Sequence, residues 1–224
     1  MSHTVILSGG LDSTTALALA RESAPGEDVA AVSFNYGQRH ARELAAAAAV
    51  TAHYRIRHQV IDLSGLLHGS ALLGETDVPE GHYAADTMTA TVVNGRNLLF
   101  AAAAIATTKP GDTVWTGVHA GDHPIYPDCR PEFWVALATA AEAYDVRVTA
   151  PFITLPKSEV VYIGDKVDAP LELTWSCYQG GDLHCGRCGT CVERAEAFDA
   201  AGVTDPTTYA DPDYWRTVSA ANPA

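Results

Sequence analysis

The sequence predicts an α/β protein with a parallel sheet, helices on both faces of that sheet, and a small C-terminal appendage. Short apolar runs alternate with longer helical runs along the first two thirds of the chain. Alternation of this kind is typical of parallel strands joined by crossover helices. A cluster of cysteines follows where the alternation ends, and the 224 residues, 47% of them apolar, suffice for one large domain with an appendage.

Five strands and four helices account for the alternating region. The expected strands are short apolar or β-branched runs at 5–7, 29–34, 57–63, 114–118 and 146–148. The expected helices are 14–22, 43–52, 96–107 and 131–144, and the last begins with Pro131, a residue favoured at the first helical position. Ligands of such sheets collect at the carboxyl ends of the strands. The loops after the first, second and fourth strands are therefore where a site is expected.

The loop after the first strand, Ser8 to Ser13, has the features of an anion-binding turn. Two adjacent glycines let backbone N–H groups face a ligand, and the start of the following helix adds free N–H groups and a positive dipole end. Ser8, Ser13 and Thr14 offer hydroxyls to the same anion. A carboxylate beside a phosphate is repulsive unless a cation lies between them, so Asp12 predicts a magnesium position. The alternative is a plain glycine turn capped by Asp or Ser.

Four of the five cysteines lie within fifteen residues, with the spacing C-x7-C-x2-C-x2-C. Four thiolates around one ion are typical of a closed, structural zinc site, and an iron–sulfur cluster is the alternative. His184 is interpreted as a bystander, because four sulfurs already suffice. Cys129 stands apart, either as a loop thiol without a chemical role or as part of a pocket. The expected metal ligands are Cys177, Cys185, Cys188 and Cys191.

Three further polar stretches are candidates for binding. Arg96 stands at a helix start and can bind a phosphate or carboxylate, the alternative being a surface residue in a capping turn. Lys157 opens a loop-to-helix transition and is suited to phosphate, or is simply solvated. The segment 119–130 contains two histidines and two aspartates, which favour substrate recognition over a metal site.

Composition excludes some classes of function. A formal net charge of −13 argues against a protein that wraps nucleic acid along its surface. The longest weakly polar run, 98–106, is too short and too rich in alanine to span a bilayer, and polar residues interrupt the N-terminus where a signal peptide would continue. We expect a cytoplasmic protein with no membrane partner and no direct nucleic-acid partner.

Two segments lack a clear periodic pattern. Residues 64–93 are rich in Gly, Thr, Asp and His, and a stretch of this length without a core pattern predicts a lid. Residues 199–224 contain three aromatics and three prolines and are interpreted as a loose C-terminal wrap. The expected division is a nucleotide-binding domain at 1–170 and a zinc-binding, helical segment at 171–224 packed on it.

Taken in order, these motifs resemble the 7-cyano-7-deazaguanine synthases, the QueC family of the PP-loop ATP pyrophosphatases. The resemblance runs from Val5 to about Phe198. It is carried by S-G-G-L-D-S-T-T, F-N-Y-G-Q-R-H, G-R-N-L-L-F, T-G-V, Y-P-D-C-R-P-E-F, and C-Y-x-G with C-G-x-C-x-x-C. It implies a Rossmann-like, adenine nucleotide alpha hydrolase-like fold, a homodimer, and zinc on the four clustered cysteines.

The resemblance also implies a reaction, in which ATP and ammonia convert 7-carboxy-7-deazaguanine into 7-cyano-7-deazaguanine through adenylated intermediates. Asp12, with magnesium, and Lys157 and Arg96 are the expected catalytic residues. The implied ATP ligands are Leu7, Ser8, Gly9, Gly10, Leu11, Asp12, Ser13, Thr14, Thr15, Ala16 and Leu17, with Ser33, Phe34 and Tyr36 bordering adenine. The expected substrate ligands are Arg39, His40, Asn97, Asp122, Tyr126 and Asp128, of which Asp122 or Asp128 is expected to accept hydrogen bonds from the guanine-like edge.

Alternatives remain at this stage. The chain departs from the expected family pattern at Asn94, in 119–125 and in the slightly short first cysteine gap, which bears on the exact substrate or product. A variant that stops at 7-amido-7-deazaguanine would keep the same adenylation motifs. A pyrophosphatase acting directly on tRNA would need a basic surface, and a zinc-knuckle nucleic-acid binder is disfavoured by acidity and the intact loop.

Overall fold

A five-stranded parallel sheet lies at the centre of the fold. The computed structural model describes residues 1–39, 42–74 and 76–221, and within them the strand order is β3-β2-β1-β4-β5. All four neighbouring pairs are parallel, so the predicted sheet is confirmed. The strands are β1 (Ser2–Ile6), β2 (Asp28–Asn35), β3 (Arg57–Asp62), β4 (Thr113–Trp115) and β5 (Arg147–Thr149).

The strand order reverses direction at β1, which has β2 on one side and β4 on the other. Where the strand order reverses, the connections that follow neighbouring strands run to opposite sides of the sheet. They leave a crevice between them at the carboxyl edge. The loop that follows β1, residues 7–10, enters this crevice. The topology therefore puts the predicted anion-binding turn at the usual ligand position of such a sheet.

Seven α-helices lie within the described residues. The four predicted helices are present, and the first begins three residues earlier than expected because Gly10, in an extended conformation, already serves as its N-cap. Among the described residues, no helix is long and apolar enough to cross a membrane. The helices are α1 (Leu11–Ser23), α2 (Arg42–Tyr54), α3 (Arg96–Thr107), α4 (Pro131–Glu142), α5 (Lys157–Lys166), α6 (Gly189–Ala201) and α7 (Tyr214–Ala221).

Alternating residues of the strands face two separate hydrophobic layers. Val5 and Ala31 pack with side chains of α1, α2, α5 and α6, including Leu17 and Phe198. Val32 and the other alternate positions pack with side chains of α3 and α4. Successive side chains of a strand point to opposite faces, so helices cover both sides of the sheet, as predicted.

The segment predicted as a lid packs against the four-cysteine element. Its buried Leu72 and Val78 share a hydrophobic cluster with the cysteine side chains. The backbone N–H of Gly81 donates to the Arg187 carbonyl at 2.9 Å, and the Gln179 side chain donates to the Val78 carbonyl at 3.3 Å. These contacts fix part of 64–93 over the cysteines.

The C-terminal segment is more ordered than the predicted loose wrap, which is a correction. Residues 199–201 complete α6, and α7 forms at Tyr214–Ala221. Between them the Tyr209 hydroxyl donates to Asp205 at 2.6 Å, and the Arg187 guanidinium donates to Asp211 at 3.0 Å. Tyr209 thus anchors the segment through its hydroxyl, and Tyr214, in the first turn of α7, packs its ring under the Arg187 guanidinium.

Candidate active site and metal centre

A cavity of about 190 Å³ lies at the carboxyl edge of the sheet. It is bordered by the loop after β1, the residues after β2 and β4, and the first turns of several helices, all of which begin at this edge. Twelve of the residues predicted from the sequence line it, so the fold brings together positions from distant parts of the chain. They are Leu7, Ser8, Gly10, Leu11, Asp12, Ser13, Phe34, Tyr36, Arg96, Asn97, Asp122 and Lys157.

The turn after β1 is held by its own hydroxyls. The Ser13 hydroxyl accepts a hydrogen bond from the Ser8 N–H at 3.1 Å, and the Gly10 N–H donates to the Ser8 hydroxyl at 3.2 Å. Gly9 has a φ of +87°, and a Cβ there would lie 2.2 Å from the carbonyl oxygen of Glu43. Only glycine allows this close approach of the turn to α2. The turn and the α1 N-terminus together form a site suited to an anion.

Beside this turn, Lys157 bridges two carboxylates from distant helices. Its Nζ lies 3.1 Å from Asp12 Oδ2 on α1 and 3.0 Å from Glu193 Oε2 on α6. His119 is buried next to them, and its Nε2 lies 3.6 Å from Asp122 Oδ2. The cluster thus holds three carboxylates, one ammonium and one imidazole within a small volume.

Electrostatics keep Asp12 and Lys157 charged in this cluster. Burial alone would raise the pKa of Asp12, but the Lys157 ammonium and His119 more than offset it, so the pKa lies below the ordinary value. Burial would lower the pKa of Lys157, and Asp12 and Glu193 raise it instead. Asp12 Oδ1 is buried without a hydrogen-bond partner among the described residues. A carboxylate oxygen without a hydrogen-bond partner, beside a turn suited to an anion, fits a divalent cation.

His119 is better suited to donating a hydrogen bond than to ligating a metal. Its Nδ1 accepts the Gly121 N–H at 3.1 Å, so Nε2 carries the hydrogen when the ring is neutral. That hydrogen faces the carboxylates. His119, Asp122 and Glu193 also offer atoms that could ligate a metal, all within 4.8 Å of one another. Substrate recognition by 119–130 therefore stays a prediction.

The other end of the cavity is aromatic. The ring of Phe34 stacks on Phe100 with centroids 4.3 Å apart, and Tyr36 lies 5.3 Å from the same ring. Glu43 and Arg96 are the charged side chains at this end. Burial raises the pKa of Glu43 to about 7, with the Arg96 guanidinium opposing the rise. Flat rings with one carboxylate and one guanidinium suit a planar, polar heterocycle.

Several predicted ATP ligands lie outside the cavity lining. Gly9 faces α2 and not the cavity, and the Ser33 hydroxyl is buried and donates to the Leu7 carbonyl at 2.6 Å. In α1 only residues of the first turn line the cavity, because Ala16 and Leu17 belong to the hydrophobic core and the Thr15 hydroxyl lies against Gly164 of α5. The four predicted positions after Ser13 are all buried, namely Thr14, Thr15, Ala16 and Leu17.

The predicted substrate ligands are also divided. Asp128 Oδ2 accepts the Asn97 N–H at 3.0 Å, so this carboxylate caps α3 and does not line the cavity. Tyr126 lines a small adjoining cavity of about 30 Å³ and bonds to the Thr91 hydroxyl at 2.6 Å. The Arg39 guanidinium donates to the Thr76 carbonyl at 3.2 Å, away from the cavity lining. His40 lies outside the described residues.

The four predicted cysteines converge on one point. Their Sγ atoms all lie within 4.8 Å of one another, and those of Cys185 and Cys191 are 3.9 Å apart. Tetrahedral zinc with Zn–S bonds of about 2.3 Å requires sulfurs about 3.8 Å apart, so the spacing fits. Backbone N–H groups of residues 185 and 179 donate to Cys177 Sγ at 3.3 and 3.4 Å, as expected around thiolates.

His184 stays beside the cysteines without joining them. Its Nε2 accepts the Ser176 N–H at 3.1 Å, and its ring packs 4.2 Å from that of Trp175. The cysteine element matters for the cavity because α6 begins directly after Cys188, its N-cap. Glu193 follows in the second turn of α6, so the candidate metal centre and the Lys157 cluster share one helix.

Comparison with known proteins shows the family of the chain. The family model described as "Queuosine biosynthesis protein QueC" matches residues 2–202. The chain belongs to the QueC family. It is 51% identical to the 7-cyano-7-deazaguanine synthase of Ruegeria pomeroyi, over 96% of this chain and 97% of the relative, and 50% identical to that of Allorhizobium ampelinum, over 96% and 95%. Among solved structures, an NMN synthetase from Francisella tularensis has a TM-score of 0.47 at 17% identity, covering 97% of this chain and 84% of that one.

In this QueC-family chain, sequence reasoning missed several cavity residues. Glu43 begins an alanine-rich helix, where an acid in the first turn is ordinary, and Glu193 follows the cysteines without any motif of its own. Trp175 and Tyr178 line the cavity from the two sides of Cys177. The one available signal was the C-Y-x-G motif, in which the aromatic residue next to Cys177 is Tyr178. Cys129 does line the cavity, where its thiol accepts the Asn97 side-chain N–H at 3.3 Å.

Proposed function

We propose that the chain converts 7-carboxy-7-deazaguanine and ammonia into 7-cyano-7-deazaguanine with ATP. The observation that supports this best is that one cavity contains both required parts. It has an anion-binding turn with Lys157 at one end and aromatic rings with Glu43 and Arg96 at the other. One end suits the phosphates of ATP, and the other suits a flat, charged heterocycle. Relatives about half identical over nearly the whole chain are named for this synthase activity.

The chemistry requires two activations of the same carbon. The carboxylate oxygen attacks the α-phosphorus of ATP and releases pyrophosphate, which gives an acyl adenylate. Ammonia displaces AMP and leaves the amide. The amide oxygen is adenylated by a second ATP, and loss of a proton and AMP leaves the nitrile. The protein must hold the phosphates, stabilise the charge that develops at phosphorus, and keep water from the adenylates.

The residues of the cavity divide this work by charge. The turn from Ser8 to Ser13 and the α1 N-terminus hold the phosphates through N–H and hydroxyl groups. Lys157, fixed by Asp12 and Glu193, places an ammonium at the developing charge. Arg96 lies at the aromatic end, within reach of a carboxylate on the bound base. Asp122 lies beside His119 at the phosphate end and orients the reacting group there.

Two metals belong to the proposal. Asp12, through its unpartnered Oδ1, would hold Mg²⁺ against the phosphates, where the ion supplies positive charge. The four cysteines would hold one structural Zn²⁺, which supplies folding energy and takes no part in the reaction. The family resemblance further implies a homodimer acting in the cytoplasm, and these states are proposed with the function.

The decisive experiment counts AMP against product with excess ATP and ammonia. We expect two AMP per base, with 7-cyano-7-deazaguanine identified by mass spectrometry. One AMP per base, with 7-amido-7-deazaguanine as the end point, would replace the proposal by the amide-forming variant. Failure of 7-carboxy-7-deazaguanine to support ATP–pyrophosphate exchange, with exchange supported by tRNA, would refute it in favour of a tRNA-modifying enzyme.

A further inference from the structure

The four carboxylates that line the cavity fall into two groups. Asp12, Asp122 and Glu193 lie at the phosphate end, each within 4.0 Å of the Lys157 ammonium or the His119 ring. Glu43 lies at the aromatic end, and no ion pair between described residues involves it. The two groups therefore face different parts of any ligand that spans the cavity.

The position of Glu43 is fixed by the backbone. It stands in the first turn of α2, whose carbonyl at this residue packs against Gly9 so closely that a Cβ on the glycine would lie 2.2 Å away. The positive end of the helix dipole usually stabilises a carboxylate in the first turn of a helix, which would lower its pKa. Here burial raises the pKa of Glu43 to about 7. A carboxylate kept partly desolvated in this way is suited to a ligand with hydrogen-bond donors.

The groups around Glu43 come from three further segments. Arg96 of α3 partly offsets the effect of burial on the Glu43 carboxyl. Tyr36 faces it from the loop after β2 and Tyr178 from the segment that follows Cys177, and burial raises the pKa of both phenols. At neutral pH the Arg96 guanidinium is charged and the two phenols are neutral. Among these four side chains, Glu43 is therefore the one whose charge can change near neutral pH.

We propose that Glu43 recognises the guanine-type edge of the substrate base. This edge presents two neighbouring donors, the ring N1–H and the 2-amino group, which match the two oxygens of one carboxylate. Adenine offers a donor next to an acceptor and gains no comparable pair from a carboxylate. The inference rests on the proposed function and assigns to Glu43 the role expected from the sequence for Asp122 or Asp128. Asp128 is committed to the α3 N-terminus, and Asp122 to His119.

Direct binding measurements test the assignment without turnover. The probes are 7-cyano-7-deazaguanine, its analogue without the 2-amino group, and ATP, each titrated against the wild type, Glu43→Gln and the control Glu22→Gln. Glu22 is exposed on α1, remote from the cavity lining. We expect the wild type and the control to prefer the base with the 2-amino group by about 10- to 100-fold, as for a hydrogen bond to a charged group. Glu43→Gln should lose that preference and leave the Kd of ATP within about twofold.

Each other outcome counts against the assignment. Equal affinity of the wild type for the two bases would overturn it, as would an unchanged preference in Glu43→Gln. Weaker ATP binding with unchanged base binding would assign Glu43 to adenine. If the wild type binds neither base while binding ATP, the proposed function itself fails. If Glu43→Gln does not fold, Glu43→Asp replaces it in the test. This variant keeps the carboxylate and is expected to retain the preference for the 2-amino group at lower affinity. Loss of that preference in Glu43→Asp would also overturn the assignment.

Discussion

Gly117 lies where the end of β4 meets the start of α1, and adding one methyl group there should disturb the phosphate end of the cavity. A Cβ at this position would lie 2.7 Å from the carbonyl carbon and oxygen of Asp12 and from the Ser13 nitrogen. The backbone conformation of Gly117 itself does not require glycine, so the effect of Gly117→Ala comes from crowding alone. The neighbours are backbone atoms of a helix turn, which cannot rotate away.

The expected loss of stability follows from this geometry. The backbone of the α1 turn or of the loop after β4 must retreat by roughly 0.7 Å to reach ordinary van der Waals contact. Overpacking of this kind costs about 1–3 kcal/mol. For a chain of this length, the melting temperature should fall by roughly 2–12 °C. ATP–pyrophosphate exchange should fall further, by about tenfold or more, because Asp12 and the turn move relative to Lys157.

The assay pairs thermal melting with ATP–pyrophosphate exchange at a temperature where every variant is folded. Gly181→Ala is the matched control, since a Cβ there meets only the Leu183 carbonyl oxygen, at an ordinary 3.5 Å. The control should behave as the wild type in both measurements. A Gly117→Ala protein with wild-type melting and wild-type exchange would show that the close approach of β4 to α1 is not needed, and the reasoning would fail.

Three further predictions concern the metal centre, the phosphate end and the aromatic end. Cys188→Ala should lose the bound metal and solubility together, because a structural zinc supplies folding energy, and metal analysis that finds iron with visible absorbance in the wild type would contradict this. Asp12→Ala should fold, since Lys157 keeps Glu193 at 3.0 Å, yet lose adenylation, and near-normal turnover of the folded variant would remove the magnesium role. Affinity for 7-cyano-7-deazaguanine, which has no carboxyl group, should be constant above about pH 8 and about tenfold weaker at pH 6. The affinity falls with pH because Glu43, with a pKa of about 7, is mostly ionised at pH 8 and mostly protonated at pH 6. A flat binding profile from pH 6 to 8 would contradict this prediction.

The sequence predicted well those features that depend on neighbouring residues. Hydrophobic periodicity located five strands and four helices, and the bounds of α3 agree with the structure at both ends. The glycines and hydroxyls of Ser8 to Ser13 determine the turn after β1, because a tight turn needs its special residues in the turn itself. The cysteine spacing likewise predicted one convergent cluster, since three of its four ligands lie within seven residues.

Local patterns could not show which side of a helix meets the ligand. The family motif continues through Thr14 to Leu17, but only the first turn of α1 lines the cavity, and these four residues are buried where the helix packs on its neighbours. The same limit applies to α7, whose short amphipathic run was hidden among prolines and aromatics. Helix orientation depends on what the helix packs against, which is a property of the whole fold.

Only the tertiary structure decided the membership of the site. No single segment of the sequence encodes the strand order. This order brings together Asp12, Lys157 and Glu193 from three helices, so that the Lys157 ammonium lies 3.1 Å from one carboxylate and 3.0 Å from the other. Glu43 looked like an ordinary first-turn acid until the packing of α2 on Gly9 placed it in the cavity. Burial and the approach of charges from distant segments set the pKa values and partners of such groups, and neither quantity exists before the chain has folded.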